Sequence, residues 1–177
     1  MIVGLILAGG RSSRMGEDKA GLTIDGDTML GRTAKALRAA GADRVAISGT
    51  REGGIPDRWP GTGPIGGIAS AAFDLPDGEW LVVPVDMPRL GDEVLAPLLA
   101  ERSLVATCWQ HHPLPMRLTM NTATRAVLAD LVTRPGRECS VSALQARLGA
   151  TTLAANGVDA RLLINCNTPD DWREANA

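Results

Sequence analysis

The chain has 177 residues, enough for about one domain, and 45% of them are hydrophobic, so a complete core can form without disulfides or metal ions. A net charge of -2 and an aromatic content of 3% exclude a broad nucleic-acid surface, which needs a basic face and stacking rings. Three scattered cysteines and a short apolar start without basic residues give no disulfide framework, zinc motif, signal peptide or membrane span. We therefore expect a cytoplasmic protein with neither nucleic-acid nor membrane partners.

The first half of the chain alternates apolar runs with segments of helical spacing. Its opening run is continuous and bounded by glycines, which is typical of a strand buried on both faces of a parallel sheet. A later stretch is rich in glycine and proline and indicates a loop. In chain order we predict a strand over residues 2–7, a helix capped by Asp27 and ending at Gly41, a strand over 44–48, a loop over 49–67 and a helix from Gly66 to Phe73.

The second half repeats this alternation. Two prolines interrupt the run after His112, and proline lacks the N–H that a central strand needs, so at best an edge strand is expected there. In chain order we predict a strand over 80–85, a helix over 92–102, a strand over 104–108, an edge strand over 112–118, helices over 121–132 and 139–148, a last strand over 161–165, and a final helix that Thr168 caps and Pro169 opens.

This order of elements predicts the fold class. Strands that alternate with helices throughout indicate a single three-layer α/β domain over residues 1–177, with a mainly parallel central sheet. In such sheets ligands bind at the carboxyl ends of the strands. Glycine-rich or polar segments follow three predicted strands, after Leu7, Ser48 and Val85. Their common position is the first indication of a functional site.

The segment from Leu7 to Lys19 has the composition of a phosphate-binding loop. Its glycines let a phosphate approach backbone N–H groups closely. Arg11, Arg14 and Lys19 add positive charge, which neutralises a triphosphate and the pyrophosphate that leaves during nucleotidyl transfer. A Walker A motif is excluded because Ala20 follows Lys19, and the dinucleotide pattern G-x-G-x-x-G is absent. The alternative is a surface turn with solvated arginines.

Asp86 is the candidate metal ligand. It directly follows a predicted strand, and a carboxylate at that end of a strand, facing a triphosphate loop, is well placed to hold Mg²⁺. The metal would bridge phosphate oxygens during in-line attack on the α-phosphate. The alternative role is a cap of the next helix or turn, although Asp92 lies nearer to that helix.

Four motifs in chain order resemble those of the molybdenum cofactor guanylyltransferase (MobA) family. The family pattern L-A-G-G-x-S-x-R-M-G-x-D-K is matched by residues 7–19, and its G-P-L-A-G-[IM] is similar to residues 63–68. Its P-C-D-x-P resembles residues 84–88, and its closing N-x-N-T-P resembles residues 165–169. The resemblance covers nearly the whole chain and implies a Rossmann-like nucleotidyltransferase domain.

The residues and the resemblance together give expected roles. The resemblance implies that Asn165 and Asn167 bind the acceptor. The alternative is that both asparagines bond loop backbone. Asp57 matches an aspartate that the family has upstream of its G-P motif, when a gap of one residue is allowed. Ser48 stands where relatives usually have asparagine. The expected catalytic residues are Arg14, Lys19 and Asp86, the last also the metal ligand; the acceptor-binding residues are Asn165 and Asn167; the nucleotide-binding residues are Leu7, Ala8, Gly9, Gly10, Lys19, Ser48, Asp57, Gly63, Pro64, Gly66 and Asp86.

The resemblance implies transfer of GMP from Mg·GTP to the phosphate of molybdenum–molybdopterin, with release of pyrophosphate. The acceptor phosphate is already ionised at neutral pH, so catalysis is mainly positioning and charge neutralisation. The pterin, and partner proteins from molybdenum cofactor biosynthesis or molybdoenzymes, follow from the resemblance alone. A CTP-dependent or sugar-phosphate nucleotidyltransferase is one alternative, although Gly9-Gly10 and Gly63-Pro64 favour guanine. A nucleotide-binding domain without catalysis is the other.

Overall fold

The computed structural model describes residues 1–9, 19–21, 23–24, 26–102, 104–166 and 171. For Lys19 the backbone is described and the side chain is not. The site predictions for Gly10, Arg14 and Asn167, and the final helix predicted after Thr168, lie outside the described residues.

The strands form a central sheet and a small ribbon. They are β1 (Ile2–Leu7), β2 (Thr23–Ile24), β3 (Asp27–Thr28), β4 (Arg44–Ser48), β5 (Gly78–Pro84), β6 (Ala106–Trp109), β7 (His112–Met120) and β8 (Thr151–Leu153). Within the described residues, six of them make one sheet in the order β4-β1-β5-β7-β6-β8, and β2 pairs with β3 in the ribbon. β1 is parallel to β4 and β5, β6 is parallel to β8, and β7 runs antiparallel to both of its neighbours. The predicted mainly parallel sheet is confirmed.

Helices cover both faces of this sheet. They are α1 (Met29–Ala39), α2 (Pro64–Asp74), α3 (Asp92–Ala100), α4 (Thr122–Leu131) and α5 (Val141–Leu148), with short 3-10 helices at Lys19–Gly21, Gly136–Glu138 and Ala160–Leu163. Trp80 and Val82 of β5 pack with α2, α4 and α5, whereas Leu81 and Val83 pack with α1 and α3. This alternation explains why residues 80–83 of the strand are all apolar, and it confirms the three-layer prediction. In the described part of the chain, no helix is both long and apolar enough to cross a bilayer.

Most predicted elements are found with ends that differ by at most two residues. The cap of α1 is Thr28, whose side chain accepts the N–H of Gly31, so the prediction of Asp27 was wrong by one position. Asp27 instead lies in β3 and bonds the Lys35 ammonium at 2.7 Å. α2 begins at Pro64, two residues before the predicted start, because proline is well suited to the first helical position.

The prediction of an edge strand over 112–118 was wrong, because β7 lies inside the sheet between β5 and β6. The two prolines avoid the regular ladders. Pairing with β5 ends at Met116, and pairing with β6 shifts between Cys108 and Trp109, so Pro113 and Pro115 fall at this irregularity. Their missing N–H groups therefore cost no regular ladder hydrogen bond.

The end of the described chain also differs from the prediction. The predicted last strand over 161–165 is wrong, since Asp159 accepts the N–H of Arg161 and starts a 3-10 turn over Ala160–Leu163. The strand in this region is β8, a short and polar segment that pairs with β6. Only Leu163 of the apolar run is buried in the core, and Ile164 is 48% exposed.

Candidate active site

The strand ends after Leu7 and Ser48 lie side by side at one edge of the sheet. Because β4, β1 and β5 are adjacent and parallel, Leu7 is opposite Ser48 on one side and Pro84 on the other. The ladder continues past the strands: the N–H of Ala8 donates to Ser48 O at 3.0 Å, and that of Val85 donates to Leu7 O at 3.2 Å. The start of the first loop, the end of β4 and the turn after β5 thus form one continuous surface.

The first loop leaves β1 against this surface. Leu7 is buried, Ala8 is half-buried and Gly9 is exposed. The chain is described again from Lys19, where a 3-10 helix begins, and Ala20 is buried in the core beside α1. Both ends of the loop are therefore anchored to the body of the domain.

Asp86 lies in the turn that follows β5 and is half-buried. It is separate from the start of α3, whose first residue is Asp92 and whose cap is Gly91. A role for Asp86 as the cap of α3 is therefore wrong, and so is a side-chain cap by Asp92. The described residues contain no cluster of three or more acidic, histidine or cysteine side chains of the kind that holds a metal alone. Mg²⁺ commonly takes one or two carboxylates plus substrate phosphates, and a single aspartate fits that donor set.

The segment that carries Asn165 is attached to the turn of Asp86. The N–H of Cys166 donates to the backbone carbonyl of Asp86 at 2.7 Å. Cys166 is 2% exposed, whereas Asn165 beside it is exposed. The sequence places Asn165 at a strand exit, whereas in the structure Asn165 follows a 3-10 turn and the next residue bonds the Asp86 turn. Upstream, the Arg161 guanidinium bonds the Asp159 carboxylate and lowers the pKa of that group to about 2.

The start of α2 lies against the end of β4, on another side of this surface. Gly63 and Pro64 are exposed, whereas Gly66 is buried. A Cβ on Gly66 would lie 2.8 Å from Asp57 Oδ1, and a Cβ on Gly67 would lie 2.5 Å from the Ser48 hydroxyl. No side chain fits at such distances, so glycine is required at both positions. The first turn of α2 thus lies between Asp57 and Ser48.

Sequence reasoning missed two residues that support this turn. The Asp57 carboxylate accepts the N–H of Trp59 at 2.9 Å and lies 3.3 Å from the hydroxyl of Ser70, which is fully buried in α2. The Cys139 thiol lies 3.7 Å from the carbonyl of Thr62, and burial raises the pKa of that thiol, so it stays protonated and can donate. The available signal for Ser70 was its position four residues after Gly66 in an otherwise apolar helix.

Comparison with known proteins identifies relatives over most of the chain. Residues 4–152 match the model of the MobA-like NTP transferase domain. The chain is 40% identical over 172 residues to the molybdenum cofactor guanylyltransferase of Xanthomonas euvesicatoria pv. vesicatoria, with 96% of this chain and 91% of that protein covered. It is 33% identical over 192 residues to the protein of the same name from Rhizobium johnstonii, with 98% and 91% covered.

Solved structures share the fold. Molybdopterin-guanine dinucleotide biosynthesis protein A from Archaeoglobus fulgidus superposes with a TM-score of 0.75 at 22% identity, covering 99% of this chain and 97% of that one. The 2-C-methyl-D-erythritol 4-phosphate cytidylyltransferase of Thermus thermophilus gives 0.69 at 18% identity, with 99% and 98% covered. Proteins named for different nucleotides share this architecture, so the fold alone does not select the base. The sequence matches are more specific, and by them the chain belongs to the MobA-like NTP transferase family.

Proposed function

We propose that this chain, as one domain over residues 1–177, is a molybdenum cofactor guanylyltransferase. It transfers GMP from GTP to the phosphate of molybdenum–molybdopterin and releases pyrophosphate. The observation that carries the proposal is the 40% identity to a protein of that name over 96% of the chain. The convergence of the first loop, the start of α2 and Asp86 at one sheet edge supports it, since a nucleotide needs all three surfaces at once.

In this proposal the triphosphate lies on the first loop. The N–H of Ala8 already donates to Ser48 O, so the backbone N–H groups proposed for the phosphates begin at Gly9, and Arg14 and Lys19 neutralise the phosphate charge. The anchoring of the two described ends of the loop, at Ala8 and Ala20, supports this role, because it holds the segment beside the sheet edge.

Asp86 is the proposed Mg²⁺ ligand. When bound, the metal would neutralise charge on the phosphate oxygens during in-line displacement. The bond from Cys166 holds the backbone of this turn through the Asp86 carbonyl and does not involve its carboxylate. A carboxylate on a turn fixed in this way orients the triphosphate and the acceptor relative to each other.

The remaining proposed contacts divide the substrates between two sides. Guanine lies near the start of α2, in reach of Ser48, Asp57 and the 63–66 turn, because these groups surround the same helix end. The acceptor lies beside Asp86, near Asn165 and Asn167.

An oxygen of the acceptor phosphate forms a bond to the α-phosphorus as the bond from that phosphorus to the β-phosphate oxygen breaks. Pyrophosphate departs on the side opposite the attack.

We also propose that the reaction takes place in the cytoplasm, where the thiols of Cys108, Cys139 and Cys166 stay reduced. A further protein of molybdenum cofactor biosynthesis would deliver the pterin, and a molybdoenzyme would receive the product.

Nucleotide selectivity tests the guanine assignment. In thermal denaturation with Mg²⁺, GTP should raise the unfolding midpoint more than CTP, ATP or UTP, because a ligand that binds the native state stabilises it by mass action. At a concentration of about 100 times the dissociation constant the gain is about 2.7 kcal/mol. Equal shifts for all four nucleotides would remove the guanine assignment, and a larger shift with CTP would favour the cytidylyltransferase alternative.

The two asparagines test the acceptor assignment. A double Asn165→Ala, Asn167→Ala variant should bind GTP normally and lose affinity for the pterin by about 1–3 kcal/mol, since each amide would otherwise bond a polar ligand group. Titration calorimetry with GTP and an assay that varies the acceptor concentration separate these effects. Unchanged acceptor affinity, or an equal loss for GTP, would leave the asparagines as residues that only brace the loop.

A further inference from the structure

Ser70 is a buried polar residue beside the proposed guanine site. It lies in the stretch of α2 from Ile65 to Ala72, which is buried throughout and otherwise consists of glycine and apolar residues. Its hydroxyl accepts the N–H of Arg58 at 2.8 Å, and it lies 2.7 Å from Gly66 O and 3.3 Å from Asp57 Oδ1. A hydroxyl has one hydrogen, which it can give to either of these two oxygens.

These bonds fix the Asp57 carboxylate in one orientation. Its Oδ1 atom receives the N–H of Trp59 and faces the Ser70 hydroxyl. The same atom occupies the space left by the missing Cβ of Gly66. These contacts all reach Oδ1, and the residue is half-buried. These contacts hold the carboxylate through Oδ1, so Oδ2 is the oxygen that would receive a base.

A fixed carboxylate oxygen at this place matches one base edge in particular. Guanine carries an N–H at N1 and an amino group at C2, and the amino group would donate to Oδ2. Hypoxanthine lacks the amino group, and adenine has an acceptor at N1. A polar group that is already held in place discriminates strongly, because the wrong base leaves it unpaired and the right base requires no reordering.

We propose that Ser70 is a positioning residue for guanine selectivity, which it exerts by orienting Asp57. The inference rests on the proposed function and deepens it. Ser70 is fully buried and contacts no substrate itself, so it acts through Asp57. A purely structural hydroxyl, one that only braces the 57–62 loop, would affect all nucleotides alike. A positioning role predicts instead that the preference for guanine over hypoxanthine depends on the Ser70 hydroxyl.

The test compares Mg·GTP with Mg·ITP in wild type, Ser70→Ala, Ser70→Thr and Thr124→Val, with dissociation constants from titration calorimetry. Ser70→Ala should weaken GTP about tenfold and ITP less, so that the GTP:ITP ratio moves toward one. Ser70→Thr keeps the hydroxyl and should keep the ratio. Thr124→Val is the matched control. Thr124 lies in α4, and its buried hydroxyl donates to Thr119 O of β7. The neighbouring Arg125 bonds Leu75 O, at the end of α2 opposite to Asp57, so loss of the Thr124 hydroxyl should leave the ratio unchanged.

An Asp57→Asn background completes the test, because there Ser70→Ala should produce no further change in the ratio. Equal losses for GTP and ITP in Ser70→Ala, or an unchanged ratio, would overturn the inference and leave the guanine assignment standing. A wild-type protein without preference for GTP would overturn the proposed function itself. If Ser70→Ala does not fold, Ser70→Cys replaces it, since a thiol is a weaker donor of similar size and should give an intermediate ratio.

Discussion

Asp86→Asn is expected to reduce the rate of guanylyl transfer by at least about a hundredfold, while the protein stays folded. The amide keeps the shape of the side chain and removes the negative charge that holds the cation. The bond from Cys166 reaches the backbone carbonyl of Asp86, so the substitution leaves it in place. The turnover number at saturating GTP and Mg²⁺ is the quantity to measure, together with the thermal midpoint.

Asp92→Asn is the matched control for this variant. Asp92 lies on the same connection between β5 and α3, in the first helical turn, and undergoes the same chemical change. We expect near-normal turnover and at most a small loss of stability from the weaker helix-dipole interaction. An Asp86→Asn enzyme with activity close to that of the Asp92 variant would contradict the metal-ligand role.

Lys19→Ala is expected to weaken GTP binding and to lower turnover by at least about a hundredfold, because the triphosphate and the departing pyrophosphate lose a compensating charge. The chain contains only one other lysine, Lys35. It is exposed and bonds Asp27 at 2.7 Å, so Lys35→Ala removes the same charge at little cost. The dissociation constant of GTP and the turnover number should be compared in both variants. Equal behaviour of the two lysine variants would show that Lys19 supplies only general positive charge.

The strands that build the site were predictable because each contains an uninterrupted apolar run. Continuous apolar runs identify β1, β4 and β5, and glycine or polar residues mark where each ends. The parallel arrangement then places those ends at one edge, which is why the first loop, Ser48 and Asp86 could be grouped without coordinates. This inference needs only the local pattern and one general rule of sheet geometry.

The interior position of the antiparallel strand β7 could not be predicted in this way. Its prolines argue against an interior strand by a local rule, and only the shifted pairing with β6 removes the objection. The interior position also buries Arg117, which is 1% exposed and donates to Glu79 of β5 at 2.6 Å. A charged residue and two prolines in one short run indicate an edge until the partner strands are known.

The contacts that hold the site together could not be predicted from the sequence either. Asp57 and Ser70 meet because a loop folds back on a helix, and Asp86 meets Cys166 across most of the second half of the chain. Motifs identify which residues are chemically useful, but the residues that orient them are set by tertiary packing. Ser70 in particular reads as one small residue in an apolar helix.

Transfer of GMP from GTP to a pterin phosphate on this chain can be measured directly. The direct measurement uses GTP radiolabelled at the α-phosphate, incubated with Mg²⁺, the enzyme and molybdenum–molybdopterin. We expect the label to move to the acceptor, with one pyrophosphate released for each guanylyl group transferred, and we expect far less transfer from labelled CTP. Bound GTP with no label transferred, or equal transfer from CTP, would contradict the proposed function.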